Sequence, residues 1–426
     1  MNEKKSRPAG KKVIRREWME PVGIESIPWM RSDGTIANPA LRESYIRTVI
    51  ALTLVERVGR VRIRRLLLGM KEPARLFRMK SSQLRGELGL NEETAARISH
   101  FKSWDLVDRL TEKWAKSGIV LAVPGDFCYP DRLRHIGSPP PLIFIRGEAK
   151  ALRRPFLAVV GTRRPTRPGL DVTKRLTRGL VRKADIGIAS GMATGVDACA
   201  HKAALEEGAV TVAVLGSGVE AIYPASNTRL AGHILESGGA LVSEYLPDAK
   251  PETYHFPERN RIISGISLGV LVTETGLKGG SRITIDFGLE QGREIFIVPH
   301  DLSNRYGQGC NMFIQQGYGK IITTTEDILE ELPFVNPGAR CACIRSDPQD
   351  AREAKQGGTS VQQRRSMPKL SPLQRAICRT LRGGPRHVDD IRIELKLAVS
   401  TLMASLLVLE LQGVVSQLPG KNFTLR

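Results

Sequence analysis

The sequence predicts an α/β protein built on a doubly wound, mainly parallel sheet. Six short apolar runs rich in strand-forming residues lie between residues 156 and 299, and helix-length segments separate them. Each run ends abruptly at a polar residue, a glycine or a proline, as strands that alternate with helices do in such sheets. The six predicted strands cover residues 156–160, 186–189, 211–215, 240–242, 268–272 and 295–298.

The segment before this sheet indicates a tail and a small helical domain. Residues 1–40 are polar and basic, which predicts a poorly ordered tail. Residues 41–118 carry helical apolar spacing from Tyr45 onward, with further helices predicted over 82–88 and 92–117. Short helices joined at glycines are typical of SAM-like or helix-hairpin-helix (HhH) domains. The hairpin glycine pattern is incomplete, so a bundle that only contacts protein stays open.

The sheet domain is predicted over 119–334, and its first part is a proline-rich, extended lead-in that excludes long helices. Residues 335–368 are rich in Gly, Gln, Arg and Ser without apolar spacing, which predicts a flexible linker. Residues 369–426 then predict a winged helix, with three helices and two strand-like pieces. The helices are expected over 372–381, 389–395 and 400–412. Because the third carries no Arg or Lys, a protein contact is favoured over DNA groove reading.

The composition favours a polyanionic partner. The chain has 426 residues, with 64 Lys and Arg against 44 Asp and Glu, which gives a formal net charge of +20. A chain of this length holds about two to four domains. An excess of positive charge is expected of a protein that binds nucleic acid or an anionic surface. Charge alone leaves open a protein that is merely basic.

The cysteines and the apolar runs predict a cytoplasmic protein without a metal or a membrane contact. The six cysteines are scattered along a long chain, which indicates reduced thiols rather than a disulfide framework. Cys341 and Cys343 lack a second pair of ligands at zinc-site spacing. No stretch approaches the roughly 18 apolar residues of a membrane span, and no signal-like apolar segment follows the basic start.

Cations gather where the strands of the predicted sheet end. In such a sheet, the loops beyond the carboxyl ends of the strands meet at one edge, where ligands bind. The cations predicted at this edge are Arg163, Arg164, Arg259, Arg261 and Lys278. No nucleophile or proton-transfer set accompanies them. We therefore expect this edge to hold an anion, without catalytic residues and without a cofactor.

Two loops at this edge are rich in small residues. Gly161-Thr162-Arg163-Arg164 follows the first run and precedes a helix near Gly169, so its amides and the helix dipole are expected to hold a phosphate. A glycine needed only to turn the chain is the alternative. Ser190-Gly191 opens the second loop, in which glycines permit a close backbone approach.

Asp197 and His201 lie four residues apart in the helix predicted after the second loop. Residues at this spacing share a helix face and can bond to each other. They could form an acid–base or metal pair, but two residues do not make a site. Helix capping and a local side-chain bond are therefore the favoured interpretation.

Two segments of the sequence resemble nucleotide-binding motifs but do not match them. Gly216-Ser-Gly218 follows the third strand rather than the first and lacks a strand-end acid for a ribose, so NAD binding is rejected. The segment 276–281 has the wrong order for a P-loop. Lys278, Gly280 and Ser281 within it are candidates for the anion site.

Phe256-Pro-Glu-Arg259-Asn260-Arg261 is the most specific local signal. The ring precedes a proline, which predicts an extended backbone, and a cationic helix start is expected next. An aromatic ring beside phosphate-binding cations suits an unpaired base stacked above a strand backbone. The alternative is a buried phenylalanine with a structural Arg–Glu network through Glu244 or Glu274.

Five ordered motifs resemble the DNA-processing protein A (DprA/Smf) family. They cover 190–205, 213–227, 256–263, 288–293 and 309–317. The resemblance implies an extended Rossmann-like fold that binds single-stranded DNA, protects it and helps to load the RecA recombinase in natural transformation. It also implies a homodimer and no known catalytic turnover.

The resemblance also assigns roles to single residues. It implies that Gly161, Thr162 and Arg163 hold backbone phosphate, that Phe256 lies against a base, and that 259–261 shapes the same pocket. Three residues depart from the usual family pattern, which has serine, leucine and glycine in their places. They are Gly279, Arg282 and His300.

Two other classes of function stay open. A nucleotide-processing enzyme of the lysine-decarboxylase-like phosphoribohydrolase type would share the sheet order. Its Pro-Gly-Gly-x-Gly-Thr loop is not matched, because residues 278–284 keep only the two adjacent glycines. A scaffold whose basic edge binds protein is the third class.

Overall fold

The computed structural model describes residues 27–30, 36–67, 70, 72–332, 372–381, 384, 386–395, 399–411, 414–418 and 422–425. The chain divides into two compact units, Met1–Cys343 and Ile344–Arg426. The predicted tail lies outside the described residues except for 27–30 and 36–40. The predicted linker over 335–368 lies wholly outside them.

The first unit begins with helices and one 3₁₀ turn, Pro73–Phe77. The helices are α1 (Pro39–Leu54), α2 (Arg60–Leu67), α3 (Ser81–Leu88), α4 (Glu92–Ser99) and α5 (Trp104–Lys116). The start of α1 follows from its sequence, since the Asn38 side chain accepts a hydrogen bond from the Leu41 amide and a proline takes the first helical position.

The prediction of a single helix over 92–117 is wrong, because the helix is interrupted at residues 100–103, between α4 and α5. Phe101 and Trp104 flank the break, and their ring centroids lie 5.2 and 4.9 Å from that of Phe77. Edge-on aromatic packing of this kind buries a large apolar area. The interruption is accompanied by a contact of both rings with Phe77, more than 20 residues earlier, which helical spacing does not show.

Nine strands form one sheet in the order β1-β2-β6-β5-β4-β3-β7-β8-β9. They are β1 (Ile119–Ala122), β2 (Ile143–Gly147), β3 (Phe156–Val160), β4 (Gly187–Ser190), β5 (Thr211–Val214), β6 (Ala240–Ser243), β7 (Gly269–Val272), β8 (Glu294–Ile297) and β9 (Lys320–Ile321). The strands β3 to β9 pair in parallel, whereas β1 and β2 add an antiparallel edge beside β6. The predicted fold class and all six predicted strands are confirmed.

Helices cover both faces of this sheet. They are α6 (Asp131–Arg134), α7 (Arg167–Lys183), α8 (Val196–Glu206), α9 (Thr228–Glu236), α10 (His255–Ile266), α11 (Ser281–Glu290), α12 (Gln308–Gln315) and α13 (Glu326–Leu329). From β3 the chain winds outward through β4, β5 and β6, and from β7 it winds the other way. The crevice beyond the carboxyl ends of β3 and β7 is therefore the topological switch point, where this fold binds ligands.

The helical segment packs on the β1–β2 edge and shares one apolar core with it. Trp114 on α5 is fully buried, and its ring lies 5.2 Å from that of Phe144 on β2. Each face of the sheet has its own apolar cluster. One contains Ile262 of α10, and the other contains Leu180 of α7. The sheet is thus fixed from both faces and from one edge.

The second unit is a winged helix. It contains α14 (Pro372–Thr380), α15 (Val388–Leu395), α16 (Val399–Leu411) and an antiparallel sheet in the order β10 (Arg386–His387), β12 (Asn422–Leu425), β11 (Val415–Leu418). Its core holds Ile377, Ile391, Leu402 and Phe423. Across all the described stretches, no helix combines the length and apolar character that crossing a membrane requires.

Gly218 after β5 is required by a close backbone approach. A Cβ there would lie 2.2 Å from the carbonyl oxygens of both Leu246 and Pro247. We predict that Gly218→Ala lowers the free energy of unfolding by about 1–3 kcal/mol through this overlap. Gly232→Ala inside α9 meets nothing within 4 Å and should raise it by about 0.5–1 kcal/mol. Urea titration of both variants checks the pair, and equal effects would contradict it.

Candidate functional site

An open cavity of about 590 Å³ lies at the switch point. The loops after β3 and β7 and the exposed side of α10 form its walls. Lining residues include Thr162, Arg163, Arg164, Phe256, Asn260 and Gly280. The structure therefore brings together most of the candidate residues predicted from the sequence, at the predicted edge of the sheet.

The buried carboxylate of Glu274, just after β7, fastens the loop that follows β3. Glu274 is 0 % exposed and accepts hydrogen bonds from the Thr166 amide (2.7 Å), the Thr166 hydroxyl (2.8 Å) and the Asn304 side chain (2.8 Å). Its backbone carbonyl accepts from the Thr162 amide at 2.7 Å. These bonds fix both ends of the loop that carries Arg163 and Arg164.

Glu274 also occupies the amino end of α7. The Thr166 hydroxyl caps that helix, and the Glu274 carboxylate lies so close to Gly169 that a Cβ there would overlap it. A carboxylate at this position already meets the positive end of the helix dipole. The end of α7 that the sequence predicts to meet a phosphate is therefore occupied by the protein's own carboxylate.

The amino end of α11 lies at the cavity instead. Gly280 precedes α11 and makes no side-chain capping bond, and Gly279, Gly280 and Ser281 line the cavity. The amides of Arg282 and Ile283 already donate to Gly279 O and Gly280 O, so this end offers an anion the partial positive charge of the helix dipole. Gly279, one of the departures from the family pattern, has no room for a side chain, because a Cβ would lie 2.4 Å from Thr275 Oγ1.

Arg163 and Arg164 are exposed at the rim of the cavity. The guanidinium carbon of Arg163 lies 5.5 Å from the centroid of the Phe256 ring, which is a cation–π contact. A smaller cavity of about 170 Å³ adjoins the first and shares Arg163, Phe256 and Arg259 with it. A cation and an aromatic face thus lie side by side where the two cavities meet.

Phe256 lies in the first turn of α10, so the expected extended backbone at this residue is wrong. Its ring is half-buried above Gly216, where a Cβ would lie 2.8 Å from Phe256 Cδ1. Tyr223 lies beside it, with ring centroids 5.4 Å apart, and is 44 % exposed. Tyr223 is not among the site residues predicted from the sequence, although an aromatic residue before Pro224 repeats the Phe256-Pro signal.

Arg259 lines both cavities but is almost wholly buried. It is 4 % exposed and donates to the carbonyls of Gly191 (2.7 Å) and Val214. Burial lowers the pKa of Arg259 to about 10, and the nearby carboxylate of Asp197 opposes that shift. Arg259 is therefore still a cation at neutral pH.

Asp197 is also buried, and burial raises its pKa while the charge of Arg259 opposes the rise. Gly191 must be a glycine because a Cβ would lie 2.6 Å from Arg259 Nη2 and 2.7 Å from Asp197 Oδ2. The close approach predicted for this loop is therefore made to the protein's own charges. The opposite charges of Asp197 and Arg259 therefore lie close together at the bottom of the cavity.

Three predicted site residues lie outside both cavities. Arg261 donates to Glu244 at 2.6 Å, and Arg60 of α2 lies 3.4 Å from the same carboxylate. The Arg–Glu network proposed as the structural alternative therefore exists at Glu244. Ser190 is fully buried and donates to Val159 O at 2.6 Å, and Lys278 is exposed without lining either cavity.

His201 does not bond to Asp197, so the expected local side-chain bond is wrong. Its Nδ1 lies 2.7 Å from Thr211 Oγ1, and that hydroxyl donates to Ile188 O at 2.8 Å. Nδ1 must therefore donate to Thr211, and the buried Nε2 has no partner. Burial lowers the pKa of His201 to about 3, and the charge of Arg259 adds to the shift.

The other two departures from the family pattern have separate surroundings. His300 Nε2 donates to Thr273 O at 2.7 Å, and its Nδ1 accepts from Asn304, which in turn holds Glu274. Arg282 is exposed and lies 3.8 Å from Asp286 on the same helix. His300 therefore helps to hold the site loop in place, whereas Arg282 adds a surface charge.

Within the described part of the chain, no cluster of three or more His, Cys, Asp or Glu could hold a metal.

Comparison with known proteins gives consistent matches. The family model for DNA recombination-mediator protein A matches residues 120–333, and the model for the DprA winged helix domain matches residues 361–421. Protein Smf of Escherichia coli (strain K12) is 41 % identical over 249 residues, which cover 58 % of this chain and 66 % of that protein. DNA processing protein DprA of Bacillus subtilis (strain 168) is 43 % identical over 209 residues, which cover 49 % and 69 %.

A solved structure is similar in fold and sequence. The X-ray structure of DNA processing protein A from Streptococcus pneumoniae has a TM-score of 0.55 and 29 % sequence identity. The match covers 67 % of this chain and 97 % of that chain. The Smf and DprA alignments above span about two thirds of each relative.

The buried, neutral His201 predicts a pH dependence of stability. The unfolded chain protonates this histidine below about pH 6.5, whereas the folded chain keeps it neutral down to about pH 3. Its contribution is therefore complete above pH 6.5 and is lost as the pH falls from 6.5 toward 3. We predict that His201→Asn loses less stability than the parent chain between about pH 7 and about pH 4, measured by urea unfolding.

Thr211→Val is the matched control, because it removes the hydrogen bond without removing the titrating group. It should lower stability at both pH values. Equal acid sensitivity of His201→Asn and the parent chain would contradict the assignment.

Proposed function

Since the chain belongs to the DNA recombination-mediator protein A family, we propose that it binds single-stranded DNA in the cavity at the switch point of its sheet. The observation that carries this proposal is the Arg163 guanidinium 5.5 Å from the half-exposed ring of Phe256. Single-strand binders combine a cationic groove for phosphates with aromatic faces for unpaired bases. Both elements meet here in an open cavity.

The surroundings of the ring support a base over other ligands. Tyr223 continues the aromatic surface beside Phe256, and Arg163 and Arg164 supply exposed charge at the rim. The start of α11 adds the positive end of a helix dipole on another wall of the same cavity. A duplex hides its base faces, so this surface favours an unpaired strand.

The same surroundings support binding rather than catalysis. Among the described lining residues of the larger cavity, Asp197 is the carboxylate, and it is 7 % exposed and faces Arg259. Glu274 is fully buried and already accepts three side-chain or capping bonds. Neither acid is placed to attack or to protonate a ligand, which disfavours the phosphoribohydrolase alternative.

Family membership extends this proposal to a cellular role. We infer that the chain protects incoming single-stranded DNA and helps to load the RecA recombinase during natural transformation. A homodimer in the cytoplasm is part of the same proposal. The family is the support for these steps, and pull-down of RecA by the DNA-bound chain tests them.

Phe256→Ala should lose about 1–3 kcal/mol of affinity for single-stranded DNA, the worth of one base–aromatic stack. Phe256→Trp should keep most of it, because the requirement is a π-face. Fluorescence anisotropy with single- and double-stranded oligonucleotides, together with melting curves, measures these changes. A variant that melts early but binds single strands normally would make Phe256 a packing residue and contradict the stacking role.

Substitution of the exposed Arg163 should change DNA binding, whereas substitution of the largely buried Arg261 should change stability. Arg163→Ala should lower the salt dependence of single-strand binding by about 0.7 units of slope, the share of one phosphate contact, and leave stability unchanged. Lys113→Ala on α5 is the control for exposed charge. An unchanged slope in folded Arg163→Ala would contradict the phosphate contact.

Arg261→Ala should lower the free energy of unfolding by about 3 kcal/mol, the lower end of the cost of breaking a buried pair, because Arg60 still faces Glu244.

A further inference from the structure

A cationic groove runs between α8 and α9, outside the cavities of the proposed site. Its volume is about 420 Å³. Lys202 of α8 and Arg229 and His233 of α9 line it, above an apolar floor of Leu205 and Leu230. Lys202, Arg229 and His233 are exposed.

The charges of this groove are available to a ligand. Glu206 is the acid that lines it, and its carboxylate accepts a hydrogen bond from Arg178 on α7. Within the described residues, neither Lys202 nor Arg229 has an acidic side chain within salt-bridge distance. The groove therefore keeps an excess of positive charge.

A hydrogen bond joins the wall of this groove to the loop that lines the smaller cavity beside Phe256. The Asn227 side chain lines the groove and donates to Met192 O at 2.8 Å. Gly191 and Ala193, on either side of Met192, line the smaller cavity. The Asn227 amide and the loop that it holds therefore lie between the two spaces.

The two helices lead away from the cavity in the same direction. The smaller cavity is lined by Thr194 and Pro224, and the groove begins at Ser226, two residues after Pro224. Lys202 lies six residues after the start of α8, which places it about 9 Å down the helix from the cavity edge. A strand that leaves the cavity over this wall meets Arg229 first and Lys202 and His233 further along.

We propose that the α8–α9 groove is a second phosphate-binding segment for the same single strand. This inference rests on the proposed function and extends the path of the strand beyond the base-stacking cavity. The phosphodiester backbone lies along Arg229, Lys202 and His233, while Leu205 and Leu230 exclude water beneath it. A strand too short to cross the Asn227 wall does not reach these charges.

The test compares Lys202→Ala/Arg229→Ala with the parent chain on oligothymidines of about 4 and about 16 nucleotides, the range of single-strand site sizes. For the long strand, the double variant should lower the salt slope by about 1.4 units, twice the 0.7 of one phosphate. For the short strand, affinity and slope should stay unchanged. Lys113→Ala/Lys116→Ala on α5 is the control for the loss of two exposed charges, and melting curves confirm folding.

The outcomes separate this inference from the proposed function. If the double variant binds the long strand with the parent slope, the groove is not on the path. If it weakens short and long strands equally, the two charges act through the general field of the protein, and the inference also fails. If the parent chain binds neither strand, or binds without dependence on Phe256, the proposed function fails instead.

Discussion

The site depends on one buried carboxylate. Glu274 follows β7 and holds the loop after β3 through Thr162 and Thr166, while Asn304 brings a third loop to the same point. A fully buried carboxylate is stable only when its oxygens are satisfied, and here hydroxyl, amide and helix-end donors satisfy it. Because this contact fixes the loop, Arg163 stands at the cavity rim beside the ring of Phe256.

Burial divides the arginines of the edge into two groups. Arg259 is buried and Arg261 is largely buried, where carbonyls and Glu244 hold them, and they position α10 against the sheet. Arg163 and Arg164 remain in solvent, where they can exchange water and counterions for phosphates. The fold thus uses one set of cations to build the cavity and leaves another exposed at its rim, where the proposed function places the phosphates. Substitutions in the two groups therefore have different consequences.

The sequence predicted the sheet and the place of the site well, because both follow from local patterns. Apolar runs between helices gave all six predicted strands, and their loops necessarily meet at one edge. The break between α4 and α5, the helical backbone at Phe256 and the cap that Glu274 provides were not predictable in this way. Each depends on partners far along the chain, such as Phe77 for the break and Thr166 for the cap. Local spacing cannot show which arginine finds a buried acid.

The central claim is that an unpaired base lies on the aromatic surface of Phe256 and Tyr223. Photo-crosslinking of the chain to single-stranded DNA that contains 5-iodouracil, followed by mass spectrometry of the linked peptide, tests it most directly. The account predicts crosslinks to Tyr223 or Phe256, and their loss when excess unlabelled single strand competes but not when duplex does. Crosslinks confined to the helical segment over α1–α5 or to the winged helix would contradict it.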